Sequence, residues 1–320
     1  MNQEEKFNSA AQLLEQAGYT LSDFIQDASK YNSSLLQMKE DDLTEYNRLY
    51  SEIDNGELSK DEKGKKLEEL ESLSAAEKAN MLFIVQDPYT SYYDAKVVRD
   101  FVALTQKLGF EPILLPFKPN GKAMHIKGFL ARFSKTAKTQ AEFLNRIAKL
   151  NVPLVGVDSA IVLSYRDEYK DALGDSRGDF HVLTAHEWLT NQLESNALRS
   201  AVKNIAKSDR TFEWHLFPHC TESTFMPNST KEWQHIFAQF GQTLNVEKVG
   251  CCGMAGVFGH EVQNQTMSKD IYDVSWGKKL QGKDPNHCLA TGYSCRSQVK
   301  RYEKAILKHP VQALLEVLNH

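Results

Sequence analysis

A ten-residue stretch in the second half of the chain decides the fold. Residues 244–253 read Leu244-Asn245-Val246-Glu247-Lys248-Val249-Gly250-Cys251-Cys252-Gly253. The apolar positions predict a strand over residues 244–249 that ends at the cysteine pair. Gly250 and Gly253 flank the pair and permit unusual backbone angles and close approach of a ligand. Because side chains that follow a parallel strand collect at the ligand-binding edge of the sheet, the stretch predicts thiols at that edge.

The same order of strand, turn and helix occurs twice along the chain. Apolar runs predict strands at residues 81–85, 112–117 and 152–157, and again at residues 214–217, 244–249 and 289–291. Helical periodicity separates these runs, most clearly over residues 94–108 and 126–150, and a further helix is expected over residues 259–276. Alternating strands and helices predict a parallel sheet in each passage.

Equivalent positions in the two passages lie at a nearly constant separation of 131–135 residues. The pairs are Asp87 with Cys220, Gly109 with Gly241, Asn120-Gly121 with Cys252-Gly253, Gly128 with Gly259, and Ala160 with Cys295. Such a repeat predicts an internal duplication in which only the second copy carries cysteines.

The expected fold class is therefore α/β, with two duplicated parallel-sheet lobes and an accessory helical N-terminal segment. Residues 1–80 have the Glu, Lys and Leu content and the spacing of a helical accessory or linker segment. Residues 81–169 form the first lobe, residues 170–212 a helical connector, and residues 213–320 the second lobe with its cysteines.

Composition limits the possible functions. The 320 residues are 41% hydrophobic and 25% charged, with a net charge of −4, as expected of a globular protein. The charge balance and the lack of a basic stripe argue against a nucleic-acid surface. No apolar run reaches the length of a membrane span, and residues 1–5 do not resemble a secretory signal, so a cytoplasmic location is expected.

Five cysteines, at positions 220, 251, 252, 288 and 295, lie in the last third of the chain. An odd, clustered set in a cytoplasmic protein favours metal or redox chemistry over a disulfide framework. Cys220, Cys251, Cys252 and Cys295 each follow a predicted strand, and thiolates suit zinc or iron–sulfur centres. Cys288 begins a strand, so a core thiol and a fifth ligand are both compatible with its position.

Three other residues near the cysteines are less specific indicators of a metal centre. His219, His260 and Gly253 lie near the cysteine loops and are candidates for supporting a centre, although a hydrogen-bonded structural histidine is the commoner role. A nucleophile built from Cys220 and a histidine would leave the other thiols unexplained.

The first copy has cations in the equivalent loops. Lys118, Lys122 and Arg132 could bind an anion, or they could belong to exposed loops of a lobe without ligands. Residues 165–169 read as a helix surface.

The strings at the strand ends resemble a known family. Cys220, Cys251-Cys252-Gly253 and Cys295 together look like the cysteine-rich CCG domain, which occurs in heterodisulfide reductase and in the iron–sulfur subunit of glycolate oxidase. The longer strings resemble the C-terminal region of bacterial D-2-hydroxyacid dehydrogenases that contain FAD and iron–sulfur centres, the D-2-hydroxyglutarate/D-lactate type. They lie at residues 85–93, 119–123, 219–223, 250–256 and 292–296.

The resemblance implies an oxidoreductase module that relays electrons from a flavin domain to an acceptor and is not catalytic alone. FAD would be bound by an upstream domain or partner, and the partners would be flavin- and ferredoxin-type domains. The location would be the cytoplasm, or the inner membrane face through those partners. Where the family has Cys-x-x-Cys, this chain has Gly292-Tyr293-Ser294-Cys295. One expected ligand is therefore missing, and the resemblance implies a four-ligand centre, a 4Fe–4S cluster or zinc.

Three alternatives to an electron relay are compatible with the sequence. A structural zinc module would dock subunits without redox activity. A thiol enzyme would cycle Cys251 and Cys252 through a strained disulfide. A scaffold without ligands would bind partners through residues 1–80.

Overall fold

The computed structural model describes residues 70–195, 198 and 212–319. The helices expected before residue 70 lie outside these described residues. No helix in the described part of the chain is long and apolar enough to span a bilayer.

The first copy begins after a short helix and contains four strands with helices between them. Its elements are α1 (Ala75–Lys78), β1 (Met81–Val85), α2 (Pro88–Tyr92), α3 (Ala95–Lys107), β2 (Glu111–Leu114), α4 (Lys122–Ile126), α5 (Leu130–Ala148), β3 (Leu154–Gly156), α6 (Ser159–Arg166), α7 (Glu168–Leu173), β4 (Val182–Thr184) and α8 (Ala185–Glu194). All five residues of β1 are buried, as expected of a strand covered on both faces.

The second copy has three strands. Its elements are β5 (Glu213–Phe217), α9 (Cys220–Phe225), α10 (Ser229–Gln239), β6 (Thr243–Val246), α11 (Gln265–Tyr272), α12 (Lys278–Leu280), β7 (Cys288–Ala290), α13 (Tyr293–Glu303) and α14 (Pro310–Asn319). A π-helical turn, Asp273–Gly277, joins α11 to α12.

Each copy builds its own parallel sheet. The strand order is β2-β1-β3-β4 in the first sheet and β6-β5-β7 in the second, and the strand pairs within them are parallel. The first strand of each copy thus lies inside its sheet, between the second and third strands. The predicted α/β class with two parallel-sheet lobes is confirmed.

The duplication is visible in the backbone itself. β5 begins and ends 132 residues after β1, and β6 begins and ends 132 residues after β2. At the same separation, Gly121 and Gly253 have φ of 79° and 84°, in the left-handed region that favours glycine. Because Asp87 caps α2 and His219 precedes α9, the structure aligns Asp87 with His219 rather than with Cys220.

The predicted helical connector contributes a strand to the first sheet. It contains α8 as expected, but residues 182–184 form β4, which pairs with β3. A three-residue strand is too short to show a period in the sequence. In the second copy the equivalent position is a single parallel bridge between Leu289 and Lys308, followed by α14.

Two predicted long helices are interrupted. The helix expected over residues 126–150 is divided into α4 and α5, with Gly128 at φ 75° between them. The helix expected over residues 259–276 begins as two 3-10 turns, Phe258–His260 and Val262–Asn264, before α11. Residues 165–169 are helical as predicted, but only part of this stretch lies at the surface, since Tyr165 and Tyr169 pack in the core of the first lobe.

The two copies exchange helix contacts. The last helix of the second copy, α14, packs against α3 of the first, and α8 of the first packs against α10 of the second. Gln312 on α14 donates to Asp100 on α3 at 2.7 Å, and His186 on α8 lies 3.3 Å from Glu232 on α10. These reciprocal contacts hold the two copies together.

Candidate metal centre at the ends of strands β5, β6 and β7

The four candidate cysteines come from three separate segments of the second lobe. Cys220 is the first residue of α9, just after β5, and Cys295 lies in the first turn of α13, just after β7. Cys251 and Cys252 lie in the loop that follows β6. Cys252 and Cys295 are buried, whereas Cys220 and Cys251 are partly exposed. One side of the thiol group therefore faces solvent.

The four thiols form a row in which each contacts the next. The sulfur of Cys251 receives hydrogen bonds from the thiols of Cys220 and Cys252, which lower the pKa of Cys251. The same contact raises the pKa of Cys220, and contacts with Cys251 and Cys295 raise the pKa of Cys252. These contacts join the thiols in a chain that runs from Cys220 through Cys251 and Cys252 to Cys295.

The backbone around Cys251 also favours a thiolate. The amide of Gly253 donates to Cys251 Sγ at 3.3 Å, and the amide of Ala255 also lowers the pKa of Cys251. Gly253, Ala255 and Gly256 have φ of 84°, 40° and 72°. Successive amides directed into one concavity form an anion-binding site of the kind called a nest.

The Cys-Cys-Gly loop is tied to the helices behind it. Ser268 Oγ donates to the carbonyl of Gly253 at 2.7 Å, and Gln298 Nε2 donates to the carbonyl of Cys252 at 3.0 Å. Trp276 Nε1 donates to the carbonyl of Gly250 at 3.1 Å. A Cβ on Gly253 would lie 2.1 Å from the carbonyl oxygen of Ser268, so no larger residue fits without moving backbone.

The first lobe contributes an aspartate to this region. Asp158 follows β3 and caps α6 by accepting from the amides of Ala160 and Ile161 through Oδ1. Its other oxygen, Oδ2, accepts from the amide of Tyr293 in α13 at 3.0 Å. Gly292, the N-cap of α13, has no side chain to cap the helix. Asp158 supplies that cap as well as its own, so it caps a helix in each lobe and holds the helix that carries Cys295.

Asp87, the cap of α2, is buried beside Asp158. Burial raises the pKa of Asp87 to about 7, with a further contribution from the charge of Asp158. Hydrogen bonds from Thr90 and from the amide of Tyr89 oppose the rise. The carboxyl of Asp87 thus changes charge near neutral pH.

The two candidate histidines lie in different surroundings. His219 is 7% exposed, and its Nε2 lies 3.3 Å from Ser294 Oγ, which is 4.0 Å from Cys295 Sγ. Burial lowers the pKa of His219, whereas the charges of Asp158 and Cys251 oppose the change. His260 is an exposed residue in a 3-10 turn. Partial burial of its imidazole and the charge of Arg301 lower its pKa.

The candidate anion-binding cations of the first lobe each have a partner there. Lys122 pairs with Glu168, Lys118 lies 5.0 Å from the ring centre of Phe143, and Arg132 lies 5.7 Å from that of Phe129. Anion binding by these residues stays a prediction.

Cys288 belongs to the same core cluster as Cys252 and Cys295 but lies at the opposite end of β7 from Cys295. It is buried at the amino end of β7, within the core cluster of the second lobe. Burial raises its pKa to about 11, and the charged side chains that act on it are Lys283, Asp284 and Glu247. Cys288 is therefore not part of the chain of thiol contacts.

The four thiols are soft donors of the kind that suit zinc or an iron–sulfur centre. Among the described residues, no three His, Cys, Asp or Glu side chains surround one common point as a mononuclear site requires. The thiols instead form a chain of contacts. In a polynuclear centre the thiolates bind different iron atoms, so they need not converge on one point.

Comparisons with known proteins show similarity to dehydrogenases. The chain is 80% identical over 256 residues to D-2-hydroxyglutarate dehydrogenase of Haemophilus influenzae and 58% identical over 253 residues to D-2-hydroxyglutarate dehydrogenase of Escherichia coli. These matches cover 80% and 79% of this chain but 25% and 24% of those proteins. The chain therefore spans about a quarter of the length of the curated relatives it matches.

A more distant similarity is to a component of another dehydrogenase, the C subunit of the anaerobic glycerol-3-phosphate dehydrogenase of Escherichia coli. The two are 21% identical over 236 residues, which cover 72% of this chain and 57% of that protein. No family model matches the chain. The expected resemblance to dehydrogenases of the D-2-hydroxyglutarate type is thus present as sequence similarity.

Sequence patterns did not reveal two residues that organise the site, Asp158 and Ser294. A signal for Asp158 was present, because an aspartate between a strand and a helix is a common N-cap. Its bond to Tyr293 depends on how the lobes dock, which local patterns do not encode.

Proposed function

We propose that the chain is a redox module of a D-2-hydroxyacid dehydrogenase, in which Cys220, Cys251, Cys252 and Cys295 hold an iron–sulfur centre. The observation that carries the proposal is the continuous contact of four thiols at the carboxyl edge of one sheet. The similarity to D-2-hydroxyglutarate dehydrogenases supports the choice of reaction.

The arrangement suits an electron relay. Such a centre supplies one-electron transfer when bound. The amides around Cys251 stabilise thiolate charge, and the buried Cys252 and Cys295 limit access of water. Cys220 and Cys251 lie on the partly exposed side, where a flavin-bearing domain or an acceptor could approach. The module alone is expected not to oxidise a 2-hydroxyacid.

The test is metal and sulfide analysis of protein purified and reconstituted without oxygen. We expect iron and acid-labile sulfide in similar amounts, with a broad visible absorption that decreases on reduction. Cys251→Ser should lose most of the iron. Cys288→Ser is the matched control, because it removes a buried thiol of the same lobe outside the contact chain, and it should retain the iron.

Two results would reject the proposal. Stoichiometric zinc without colour would identify a structural zinc module instead. Equal iron loss in Cys251→Ser and Cys288→Ser would show that the contact chain does not define the site.

A further inference from the structure

Gly292 is a glycine for reasons of space rather than backbone conformation. Its φ of −90° and ψ of 135° are extended angles that any residue adopts. A Cβ at this position would lie 2.3 Å from Cδ2 and 2.8 Å from Cγ of His219. The imidazole of His219 therefore occupies the volume into which a side chain at residue 292 would project.

That volume borders the thiol group. Residue 292 is the N-cap of α13 and Cys295 is the third residue of the helix, so their side chains would lie on the same side of the first turn. Ser294 Oγ lies within 3.3 Å of His219 Nε2 and 4.0 Å of Cys295 Sγ. The charge of Cys251 also acts on the imidazole. His219 thus fills the space of a side chain at residue 292 and is linked through Ser294 to Cys295.

One nitrogen of His219 has no partner. Nδ1 is buried and makes no hydrogen bond within the described residues, whereas Nε2 faces Ser294. When Nε2 carries the proton and donates to Ser294 Oγ, Nδ1 presents a free lone pair. A buried polar atom without a partner is costly, and imidazole nitrogen is an established ligand of iron–sulfur centres.

We propose that His219 Nδ1 supplies the donor that a cysteine at residue 292 would otherwise supply, so that four thiols and one imidazole hold the centre. This inference rests on the proposed function and adds a nitrogen ligand to it. It also explains the departure from Cys-x-x-Cys, because the histidine and a side chain at residue 292 exclude each other.

The steric part is tested on metal-free protein by thermal unfolding. Gly292→Ala should lower the unfolding midpoint when His219 is present and lower it much less in a His219→Ala background. An equal decrease in both backgrounds would overturn the inference, since the imidazole would then not occupy the space of residue 292.

The ligand part is tested on iron-loaded protein by pulsed electron paramagnetic resonance with ¹⁵N-labelled histidine. A strong nitrogen coupling should be present in the unaltered chain and in His260→Ala, the control for an exposed histidine of the same lobe. It should vanish in His219→Ala. Its absence from the iron-loaded unaltered chain would overturn the inference and leave the proposed function intact.

A donor exchange gives a third outcome. His219→Ala should lower the iron content, and the double variant His219→Ala/Gly292→Cys should restore it without nitrogen coupling. Failure of the double variant to recover iron would count against equivalence of the two positions. Failure of the unaltered chain to bind iron would overturn both proposals, and the metal-free experiment would still decide the steric exchange.

Discussion

The two lobes have nearly the same backbone, but they carry different donor atoms at the edge where they face each other. Asp87 in the first lobe corresponds to His219 in the second, and Asn120-Gly121 corresponds to Cys252-Gly253. The first lobe thus presents oxygen atoms where the second presents sulfur and imidazole. The scaffold constrains the position of a donor but leaves its chemistry free to change.

The lobes also complement each other at the positions where they differ. Asp158 and Gly292 are the corresponding caps of α6 and α13, and Asp158 serves both helices. Because Gly292 has no side chain, His219 can fill the adjacent space. The second lobe therefore depends on the first for a cap that its own sequence lacks.

The largest expected effect compares the two equivalent glycines. Gly253→Ala would force a Cβ to 2.1 Å from a backbone oxygen, whereas Gly121→Ala would place it 2.9 Å from a side chain, the ring of Phe133. Both substitutions strain a left-handed backbone. Chemical denaturation of metal-free protein should show a loss of about 3–5 kcal/mol for Gly253→Ala and about 1–2 kcal/mol for Gly121→Ala. Equal losses would show that the two loops tolerate a side chain to the same degree.

Asp87 should make the free energy of unfolding decrease as pH rises, a direction that its counterpart His219 does not share. Its pKa is raised from 3.8 to about 7 on folding, so its contribution is fully present below pH 3.8 and is lost as pH rises through about 7. Asp87→Asn mimics the protonated form. Relative to the unaltered chain, the variant should gain roughly 3–4 kcal/mol between pH 4 and pH 8, measured by denaturation at both values. Asp175→Asn, at an exposed site, is the control, and an identical gain there would contradict the assignment.

The contribution of Asp158 to the cap of α13 can be measured separately from its contribution to the cap of α6. Asp158→Asn keeps an oxygen for the amides of Ala160 and Ile161 but replaces the acceptor of the Tyr293 amide with an NH₂ group. We expect a loss of about 1–2 kcal/mol, measured at pH 5 so that Asp87 is largely protonated. Asp158→Ala should cost more, because it removes both caps. Equal losses for the two variants would mean that the bond within the first lobe contributes nothing.

The smallest effect concerns an ion pair on the surface between the lobes. The Lys127 and Glu261 side chains are in contact, but they are 45% and 31% exposed. A double-mutant cycle with Lys127→Met and Glu261→Gln should give a coupling below about 1 kcal/mol that decreases with added salt. A larger coupling that salt does not reduce would show that this pair helps to hold the lobes together.

Local sequence patterns predicted the fold where burial is continuous. The residues of β1 are apolar and buried on both faces, so their run alone identifies the strand. β4 escaped prediction because three residues cannot display a period. The helix over residues 126–150 was predicted as continuous because its apolar spacing persists on both sides of Gly128, where the chain turns.

The candidate site was predictable only within one lobe. Cys220, the Cys251–Cys252 pair and Cys295 follow strands, so their approach to one another follows from the topology of a parallel sheet. Metal binding by these residues stays a prediction. The bond from Asp158 to Tyr293 spans 135 residues and depends on the docking of two sheets. The fit of His219 against Gly292 depends on side-chain volume, which spacing along the chain does not reveal.

Because helices of each copy pack against helices of the other, separating the two copies would expose surfaces that are in contact in the intact chain. α14 packs against a helix of the other copy and carries buried apolar residues, among them Val311, Leu314 and Val317, so an isolated half would expose part of this apolar surface. Two identical halves would cover each other's faces through an isologous interface with two-fold symmetry. The tandem chain is therefore organised like a covalently linked dimer of two similar halves, of which only the second carries cysteines.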